Sequence, residues 1–458
     1  MTTTVVPPAA QAPGGPAHRD GNVLRWLGAY ASSMIGDNVC YLALSWAAVQ
    51  SGTPAQAGLV MTVSAVPRVL LMLGGGVVAD RFGPRKVVIG SDAVRCLAVL
   101  ALAVLLFATS PSLWLLALLA LVFGMVDAVF MPAVGALPAR ITSRDQLVRV
   151  QGMRGLANRF ANVVGAPLGG LGVALGGAAA AFGLAGMLIA ASVPLLVSVR
   201  MREPRVGDEG GAAGTSALAD TGHAPEAVGA DGAEGKAAGE GAAEREGAAP
   251  GRPARATVRR DLVEGLRYVR RHRVLAPLIV AIALVDLGFA GPLNVGLTLL
   301  ADRRGWGASG MGWVLAGFGT GAGAAALLLT VRGRLPHAAR LAAVAILAGS
   351  VAIGALAFVP NVVAAIGVAL LVGLLAGLSG ALCGALIQTQ SDPAYLGRVT
   401  AVSGIVSLGL APLGMPLTAA AIGWWGTGPV FVTSAAVCGL GGVLALGVRD
   451  LRRAELPG

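Results

Sequence analysis

Charged side chains are scarce in this chain: Asp, Glu, Lys and Arg make up only 12% of its 458 residues, and aromatic residues only 5%. Hydrophobic residues make up 55%, and the mean hydropathy is +0.76. A water-soluble domain carries about 25% charged residues, and it could not bury so much apolar surface. The composition therefore excludes a soluble protein and indicates that lipid surrounds most of the chain.

Cysteine and histidine are also rare, with four of each. The cysteines lie in apolar stretches without paired spacing, so neither a disulfide framework nor a metal site is supported. The histidines lie in tails or loops, so no imidazole is expected to carry protons inside the membrane. The sequence has no P-loop and no cluster of catalytic residue types. We therefore expect no ATP hydrolysis, no other enzymatic activity and no cofactor.

Long apolar runs are what the chain does contain. A helix needs about 20 apolar residues to cross the core of a bilayer, and such runs recur between Leu24 and Val448. They predict an all-α membrane protein with twelve transmembrane helices. The residues before Leu24 have no short apolar core with a cleavage site, so no removable signal peptide is expected. The predicted spans are 24–50, 57–79, 87–108, 113–135, 150–175, 178–199, 274–300, 309–331, 340–358, 361–386, 397–422 and 427–448.

The formal net charge of +11 follows from where the arginines lie. They cluster in the loops after the even-numbered spans, and only Asp302-Arg303-Arg304 breaks this alternation. By the positive-inside rule, both termini and the even-numbered loops are cytoplasmic. The charge thus reports topology, and no nucleic-acid partner is expected. Abundant Arg, Ala and Gly with scarce Lys are typical of a GC-rich bacterial genome, so we expect a multi-pass protein in the lipid of a bacterial plasma membrane.

A polar segment divides the predicted spans into six plus six. Residues 201–257 are rich in Ala, Gly and Glu, and this composition predicts a disordered cytoplasmic linker. Residues 258–273 combine apolar residues at helical spacing with several arginines, which predicts an interfacial amphipathic helix, the alternative being a solvated helix end. The predicted organisation is a cytoplasmic tail 1–23, a first half 24–200, the linker, the amphipathic helix, a second half 274–448 and a cytoplasmic tail 449–458.

The two halves repeat at an offset of about 249 residues. Arg149-Val150, Gly165, Pro167 and Gly177 fall on Arg398-Val399, Gly414, Pro416 and Gly426, and Asp37 falls on Asp286. Duplicated six-helix halves are a recurring plan of transporters, because rocking of the halves exposes a central site to each side of the membrane in turn. The repeat therefore favours a transporter.

A charged motif, Gly76-x3-Asp80-Arg81-x-Gly83-x-Arg85-Lys86, lies between the second and third spans. Asp80 is at the C-terminal end of its helix, where the helix dipole disfavours a negative charge, so positive charge must compensate it. Arg81, Arg85 and Lys86 are adjacent, and the N-terminus of the eleventh span, near Gly397-Arg398, is a second candidate in the opposite half. A purely topological anchor is the alternative to a gating role.

Three motifs make the chain resemble transporters of the major facilitator superfamily, and within it the branch of bacterial macrolide-efflux and enterobactin-exporter proteins. The motif after the second span is similar to the superfamily signature, although Pro84 interrupts its basic run. Val164-Gly165-Ala166-Pro167-Leu168-Gly169-Gly170 resembles the Gly-Pro-x-x-Gly-Gly element of antiporters. Residues 261–269 resemble the helix before the seventh span in that branch. The resemblance implies two pseudo-symmetric halves, a monomer, and a first motif that latches the inner side closed in the outward-facing state.

The antiporter-like motif also carries a physical expectation. Pro167 removes a backbone donor and, with Gly165, Gly169 and Gly170, should bend the fifth span. The bend would shape the seal of an exporter, and a packing kink is the alternative.

Charges at mid-membrane depth are costly and therefore informative. Asp37, Arg68, Arg95, Asp127 and Arg159 lie about halfway through their spans, all in the first half. The second half offers little beyond Asp286 and the polar end of the tenth span. We hypothesise that the first half carries proton coupling and that the apolar second half supplies most of the substrate surface.

Asp37 is the foremost candidate for proton exchange, because a carboxyl group in a low dielectric takes up a proton more readily. Arg68 could hold its ionised form. Fixed salt bridges among Asp37, Asp127, Arg68 and Arg95 are the alternative. The Arg that many antiporters of the superfamily carry in the fourth span is absent, and Gly124-Met125-Val126-Asp127 stands in its place.

These observations predict a secondary transporter that exports hydrophobic or amphipathic small molecules, such as drugs or macrolide-like natural products, in exchange for H⁺. Antibiotic resistance would be one consequence. An exporter dedicated to one endogenous metabolite, such as a siderophore or a self-made antibiotic, is an alternative. An importer is disfavoured by the fifth-span motif, and a non-transporting membrane sensor or scaffold is the alternative from another class.

Overall fold

The structure is a computed structural model that describes residues 19–109, 112–142, 146–200, 254–332, 337–392 and 395–454. Most of the predicted linker, 201–257, lies outside the described residues. Within the described ranges the secondary structure is helical, without a strand. The side chains at 69, 72–74, 76, 77, 80, 148, 254–262, 408 and 411–413 are also outside the described part.

Five helices build the first half, and their ends follow from local sequence. The Asp20 side chain caps α1 by accepting from the Asn22 N–H at 2.8 Å. Thr53 and Gln56 form a capping box at the start of α2, where Pro54 occupies the first turn. Gly83, at φ 83°, joins α2 to α3 in a single residue. The helices are α1 Gly21–Ser51, α2 Pro54–Phe82, α3 Pro84–Ala108, α4 Leu113–Ile141 and α5 Leu147–Ser198.

Helix α5 has 52 residues and folds back on itself. Gly176 and Gly177 leave helical φ/ψ, and Gly177 adopts φ 72°. A side chain at Gly177 would be strained, so this pair permits a reversal without a loop. The two arms of α5 correspond to the predicted spans 150–175 and 178–199.

The second half repeats this plan after an additional helix. Gly426, which the sequence repeat pairs with Gly177, also has a positive φ, 86°, and separates two antiparallel helices. A helix occupies most of the predicted amphipathic segment 258–273, from Ala254 to Arg271, and its interfacial position stays a prediction. The elements are α6 Ala254–Arg271, α7 Leu275–Gly291, a π-helix Pro292–Gly296, α8 Leu297–Arg303, α9 Gly307–Arg332, α10 Ala338–Leu356, α11 Val362–Gln390, α12 Leu396–Trp425, α13 Thr427–Gly447 and α14 Arg449–Arg452.

Eight helical segments in the described ranges are long and apolar enough to cross a bilayer. Helices α1, α2 and α12 have 31, 29 and 30 residues, which also suffices in length. Large apolar side chains on the outside of the bundle are exposed, for example Phe107 at 72% and Trp114 at 85%. The protein is therefore a multi-pass membrane protein, and the count of twelve spans stays a prediction.

Consecutive long helices alternate in direction, so the bundle has two ends. We call the end that carries the start of α1 and the end of α13 the terminal end, and the opposite end, with the turns at Gly52 and Gly177, the distal end. At the terminal end each half has an apolar core of its own, one around Trp26 and Val150 and one around Leu275 and Val399. Towards the distal end, α1 to α5 share a core with the π-helix, α8, α12 and α13. The halves are thus joined distally.

The arginines that break the loop alternation have a structural explanation. Arg303 donates to the carbonyl oxygen of Ile422 at 3.2 Å, near the end of α12. Arg304 donates to the carbonyl oxygens of Ala357 at 2.7 Å and Val359 at 3.0 Å, at the end of α10. The last carbonyls of a helix lack intrahelical donors, so these two cations satisfy helix ends within the second half.

Candidate functional site

Four helices of the first half bring charged side chains together around Arg95. Its Nη1 donates to Asp37 Oδ2 at 2.5 Å and lies 3.4 Å from Asp127 Oδ1. Its Nη2 donates to the Asp92 carboxylate and to Ser33 Oγ, the latter at 3.2 Å. Arg95 is completely buried, and its guanidinium stacks 4.0 Å from the centre of the Phe130 ring. Arg95 therefore links acids from three helices at a buried position.

Asp92 is the member of this cluster that the sequence reasoning missed. It is fully buried and accepts hydrogen bonds from Ser33 Oγ at 3.0 Å and Ser192 Oγ at 2.5 Å, in addition to Arg95. It lies only about a third of the way along α3, so a search restricted to mid-membrane charges passed over it. The Asp-x-x-Arg spacing was the available signal, because residues three apart share one face of a helix.

Asp37 and Asp127 are held less completely than Asp92. Their side chains are 22% and 19% exposed, and Asp127 Oδ2 lies 3.7 Å from Nη1 of Arg68, which is itself 33% exposed. Oδ1 of Asp37 is buried and has no hydrogen-bond partner among the described residues. A carboxylate oxygen without a donor is costly in a low dielectric.

The charges of this cluster do not balance. Asp37, Asp92 and Asp127 face the guanidinium groups of Arg68 and Arg95, so the fully ionised cluster carries a net charge of −1. One bound proton makes the cluster neutral. In an apolar environment an uncompensated charge is strongly disfavoured, so the arrangement is suited to take up and release one proton.

A cavity of about 220 Å³ lies beside the cluster, between the two halves. Asn38, next to Asp37 in α1, is part of its wall. The first half contributes mostly polar groups, and the second half contributes mostly apolar groups with Asn294 as the exception. The lining residues are Asn38, Tyr41, Leu42, Arg159, Asn162 and Ala166 from the first half, and Leu293, Asn294, Met311, Leu315, Phe318, Gly319 and Ala322 from the second.

Asn294 belongs to the π-helix that interrupts the seventh apolar run. Its amide oxygen accepts from the Tyr41 hydroxyl at 2.8 Å, and its Nδ2 donates to the carbonyl oxygen of Ala290 at 2.7 Å. One turn further, the hydroxyls of Ser45 and Thr298 lie 2.7 Å apart. Single π-helical turns occur often at functional sites. This one directs the side-chain amide of Asn294, in the second half, towards α1 of the first half.

The distal end is closed by helices that touch backbone to backbone. A Cβ at Gly170 would lie 2.5 Å from the carbonyl oxygen of Ala308, and one at Gly312 would lie 2.5 Å from that of Ala166. Helices α5 and α9, from opposite halves, are therefore in direct contact along this stretch. A Cβ at Gly58 of α2 would lie 2.5 Å from Cβ of Ala419 and 3.1 Å from Cα of Pro416, both in α12. Nε2 of Gln50 completes the closure by donating to Asp302 Oδ1 at 2.6 Å.

At the terminal end, several described side-chain contacts join helices of the same half. Arg85 donates to the carbonyl oxygen of Val197 at 2.5 Å, and Asn22 donates to that of Arg200 at 2.7 Å. In the second half, Arg398 of α12 pairs with Glu264 of α6 at 3.3 Å. The cavity between the halves is thus sealed on the distal side, where the two halves share a core.

The sequence matches the Major Facilitator Superfamily over residues 26–412. The chain belongs to this superfamily.

Relatives and solved structures agree with that assignment. The enterobactin exporter EntS of Shigella boydii serotype 18 (strain CDC 3083-94 / BS512) is 25% identical over 398 residues, which cover 86% of this chain and 82% of the exporter. EntS of Escherichia coli O139:H28 (strain E24377A / ETEC) has the same identity and coverage. The nucleoside transporter NupG superposes with a TM-score of 0.63 at 12% identity, covering 95% of this chain and 100% of NupG. The xylose transporter XylE from E. coli, in an inward open conformation, gives 0.62 at 13% identity and covers 95% of each chain. The two solved structures show the fold, and the protein is a transporter rather than an enzyme.

The superfamily signature is only partly described. Gly83 makes the turn, Arg81 and Lys86 are exposed, and Arg85 bonds within its own half. The side chains at Gly76 and Asp80 lie outside the described part, so the latch between Asp80 and α12 stays a prediction.

The antiporter-like motif of the superfamily lies on two interfaces at once. Gly165 and Gly169 pack on α1, where added Cβ atoms would come within 2.6 Å of Asn38 Cβ and 3.1 Å of Val39 Cα. Gly170 packs on α9 of the opposite half. Helix α5 keeps helical φ/ψ through Pro167, and the described departures are at Gly176 and Gly177. The motif thus forms part of the distal closure.

Asp286 stands apart from the first-half cluster. It lies in α7, and its buried Oδ2 has no partner among the described residues. No described ion pair joins it to an arginine. Of the predicted coupling residues, the structure therefore unites Asp37, Asp127, Arg68 and Arg95 and leaves Asp286 in the other half.

Proposed function

We propose that the protein is a proton-coupled exporter of amphipathic small molecules, in an inward-facing state here. One observation carries the proposal: a buried cluster with one carboxylate more than guanidinium groups lies beside a cavity between the two halves. The cluster offers a proton site, and the cavity offers a substrate site. Neither metal nor cofactor is part of the proposal, and the partners are a small molecule, H⁺ and the surrounding lipid, with the chain acting as a monomer.

The orientation rests on the distribution of arginine. The terminal end carries most of the loop arginines, so by the positive-inside rule it faces the cytoplasm and both chain termini lie there. The closed distal end then faces outward. A substrate from the cytoplasm can approach between the separate terminal cores, which is the state an exporter needs for loading.

Proton coupling follows from the position of Asp37. Its carboxylate shares Nη1 of Arg95 with Asp127, and its neighbour Asn38 contacts the cavity. When Asp37 gains a proton from one side, its hold on Arg95 weakens, and α1 is free to change its packing against the second half. Alternating access then exposes the same carboxyl group to the other side. Asp92, with its hydroxyl donors, keeps Arg95 in place throughout.

Two substrate ranges fit this machinery. A broad drug exporter is favoured by the apolar second-half wall of Met311, Leu315 and Phe318. An exporter dedicated to one endogenous metabolite is favoured by the relatives, which are named as enterobactin exporters. A panel of unrelated toxic compounds in a sensitive strain separates the two, because a dedicated exporter protects against one chemical type only.

The coupling is tested with Asp37→Asn in everted vesicles. We expect substrate accumulation driven by a pH gradient to fall to the background of vesicles without the protein, because the amide cannot exchange a proton. Substrate-for-substrate exchange without a gradient should continue, since that step needs no net proton movement.

Asp450→Asn is the matched control, because Asp450 is an exposed carboxylate at the terminal end, outside the cluster. It should leave gradient-driven accumulation at the wild-type level. Full gradient-driven accumulation in Asp37→Asn would refute the assignment of the proton site and leave fixed salt bridges as the role of the cluster.

A further inference from the structure

The cavity between the halves has a charge of one sign only. Among the described lining residues, Arg159 is the only side chain that is charged at neutral pH, and none is a carboxylate. The nearby acids of the cluster are engaged with Arg95 and Arg68, behind the wall that α1 forms. A molecule in the cavity therefore meets a cation and no fixed anion.

The guanidinium of Arg159 has unused hydrogen-bonding capacity. It carries five N–H donors, and one Nη donates to the carbonyl oxygen of Ala322 at 3.1 Å, across the interface between the halves. The side chain is exposed, and the contact with Ala322 is its one described hydrogen bond, so further donors are available to a ligand. A guanidinium in this setting can bind a carboxylate, sulfonate or phosphate with two parallel hydrogen bonds.

The other polar groups of the cavity are largely occupied by each other. Asn38 Nδ2 donates to the carbonyl oxygen of Met34 at 2.8 Å and to Asn162 Oδ1 at 3.1 Å. The Tyr41 hydroxyl donates to Asn294, whose own Nδ2 donates to Ala290. Arg159 is thus the one charged donor among the described lining residues, with Nδ2 of Asn162 as a neutral donor beside it, and Met311, Leu315 and Phe318 offer an apolar surface on the opposite wall.

We propose that Arg159 binds an anionic group of the substrate, and that the preferred cargo is an amphipathic anion rather than a lipophilic cation. This inference rests on the proposed transport function and narrows its substrate class. The apolar part of the substrate lies against the second half, and its charge lies against the first. A cationic amphiphile would place like charges together in a cavity with a low dielectric, which costs binding energy that an anion gains.

The test uses three amphiphiles that share one dansyl-labelled alkyl body and end in a sulfonate, a neutral amide or a quaternary ammonium. Their charges are fixed over the whole working pH range, so the pH gradient does not change them. Uptake into everted vesicles is measured for wild type, Arg159→Lys, Arg159→Gln and Arg159→Glu. We expect wild type to take up the sulfonate at least tenfold faster than the ammonium compound.

The variants separate charge from shape. Arg159→Lys should keep the preference for the sulfonate with a weaker apparent affinity, because the ammonium group lacks the bidentate geometry. Arg159→Gln should lose the preference, and Arg159→Glu should reverse it. Binding of the same probes to detergent-purified protein, followed by dansyl fluorescence, checks the order independently of transport, and thermal melting shows that each variant is folded.

The outcomes distinguish the role of Arg159 from the proposed transport function. Gradient-driven uptake of all three compounds at equal rates, or an unchanged sulfonate preference in Arg159→Gln, overturns the role of Arg159 and leaves the transporter proposal intact. Failure of wild type to move any of the three overturns both. A sulfonate preference that Arg159→Glu reverses supports the inference.

Discussion

The contact between α5 and α9 gives a quantitative prediction about conformational balance. A methyl group at Gly312 would lie 2.5 Å from the carbonyl oxygen of Ala166 and 3.1 Å from Cα of Pro167. Backbone atoms cannot rotate away as a side chain can, so the helices must separate by about 1 Å to restore a van der Waals distance. Gly312→Ala should therefore destabilise the distally closed state and leave a distally open state unaffected.

The size of the effect follows from the cost of overpacking. Extra methyl or methylene groups in a close-packed site cost about 1–3 kcal/mol, and each 1.4 kcal/mol is tenfold in an equilibrium constant. The ratio of distally closed to distally open protein should fall by about 5- to 150-fold. The gain in helix propensity from glycine to alanine is the same in both states and cancels.

Gly323 is the matched control because it lies in the same helix with nothing within 4 Å of its added Cβ. Gly323→Ala should leave the equilibrium unchanged. Spin labels at Thr109 and Phe358, exposed residues near the distal ends of opposite halves, report the separation by pulsed electron resonance in a background without native cysteines. Gly312→Ala should enrich the longer distance.

Equal distance distributions for Gly312→Ala and Gly323→Ala would refute the reasoning. They would mean that the backbone contact between α5 and α9 does not hold the distal end closed.

Two further predictions concern parts that the transport assays do not isolate. Asp92→Asn should lower the free energy of unfolding of the purified protein by about 3–5 kcal/mol, because the buried Arg95 cation loses one of its partners. Asp37→Asn should lower it clearly less. Equal losses for the two variants in a melting experiment would contradict the division of roles between the two acids. Tyr268→Ala should weaken the packing of α6, because it removes a ring stacked 4.5 Å from Tyr395 and the acceptor of the Asp392 N–H. Hydrogen–deuterium exchange over α6 should therefore rise. Tyr268→Phe keeps the stacked ring and should give a smaller rise.

The sequence predicted the helical framework well because apolar periodicity and charge placement are local signals. The reversal at Gly177 and its counterpart at Gly426 were visible as aligned glycines, and the convergence of Asp37, Arg95 and Asp127 was visible as charges at a common depth. The depth of a residue within its span does not show which charged side chains share a partner. Asp92 was overlooked for that reason, although it holds Arg95 most fully.

The cavity could not be predicted from the sequence, because its walls come from helices far apart in the chain. Asn294 meets Tyr41 only because a π-helical turn shifts the register of the seventh apolar run, and hydrophobic periodicity does not report such a turn. Pro292 inside that run was a hint of irregular backbone. Close contacts between glycines and opposing carbonyl groups likewise depend on how the halves dock, so the sequence did not predict the closed end.

The surplus carboxylate of the first half has an electrical consequence. Moving one elementary charge through a membrane potential of 100 mV is worth about 2.3 kcal/mol. In the proposed transport cycle, a bound proton makes the five side chains of the cluster neutral, and the membrane potential then does little work on them as the halves change orientation. Without the proton, the cluster carries one negative charge, and a membrane potential that is negative inside drives it towards the outer face. The membrane potential should therefore accelerate or retard the conformational change of the protein without its bound proton, and current recorded across a planar bilayer should arise from that step.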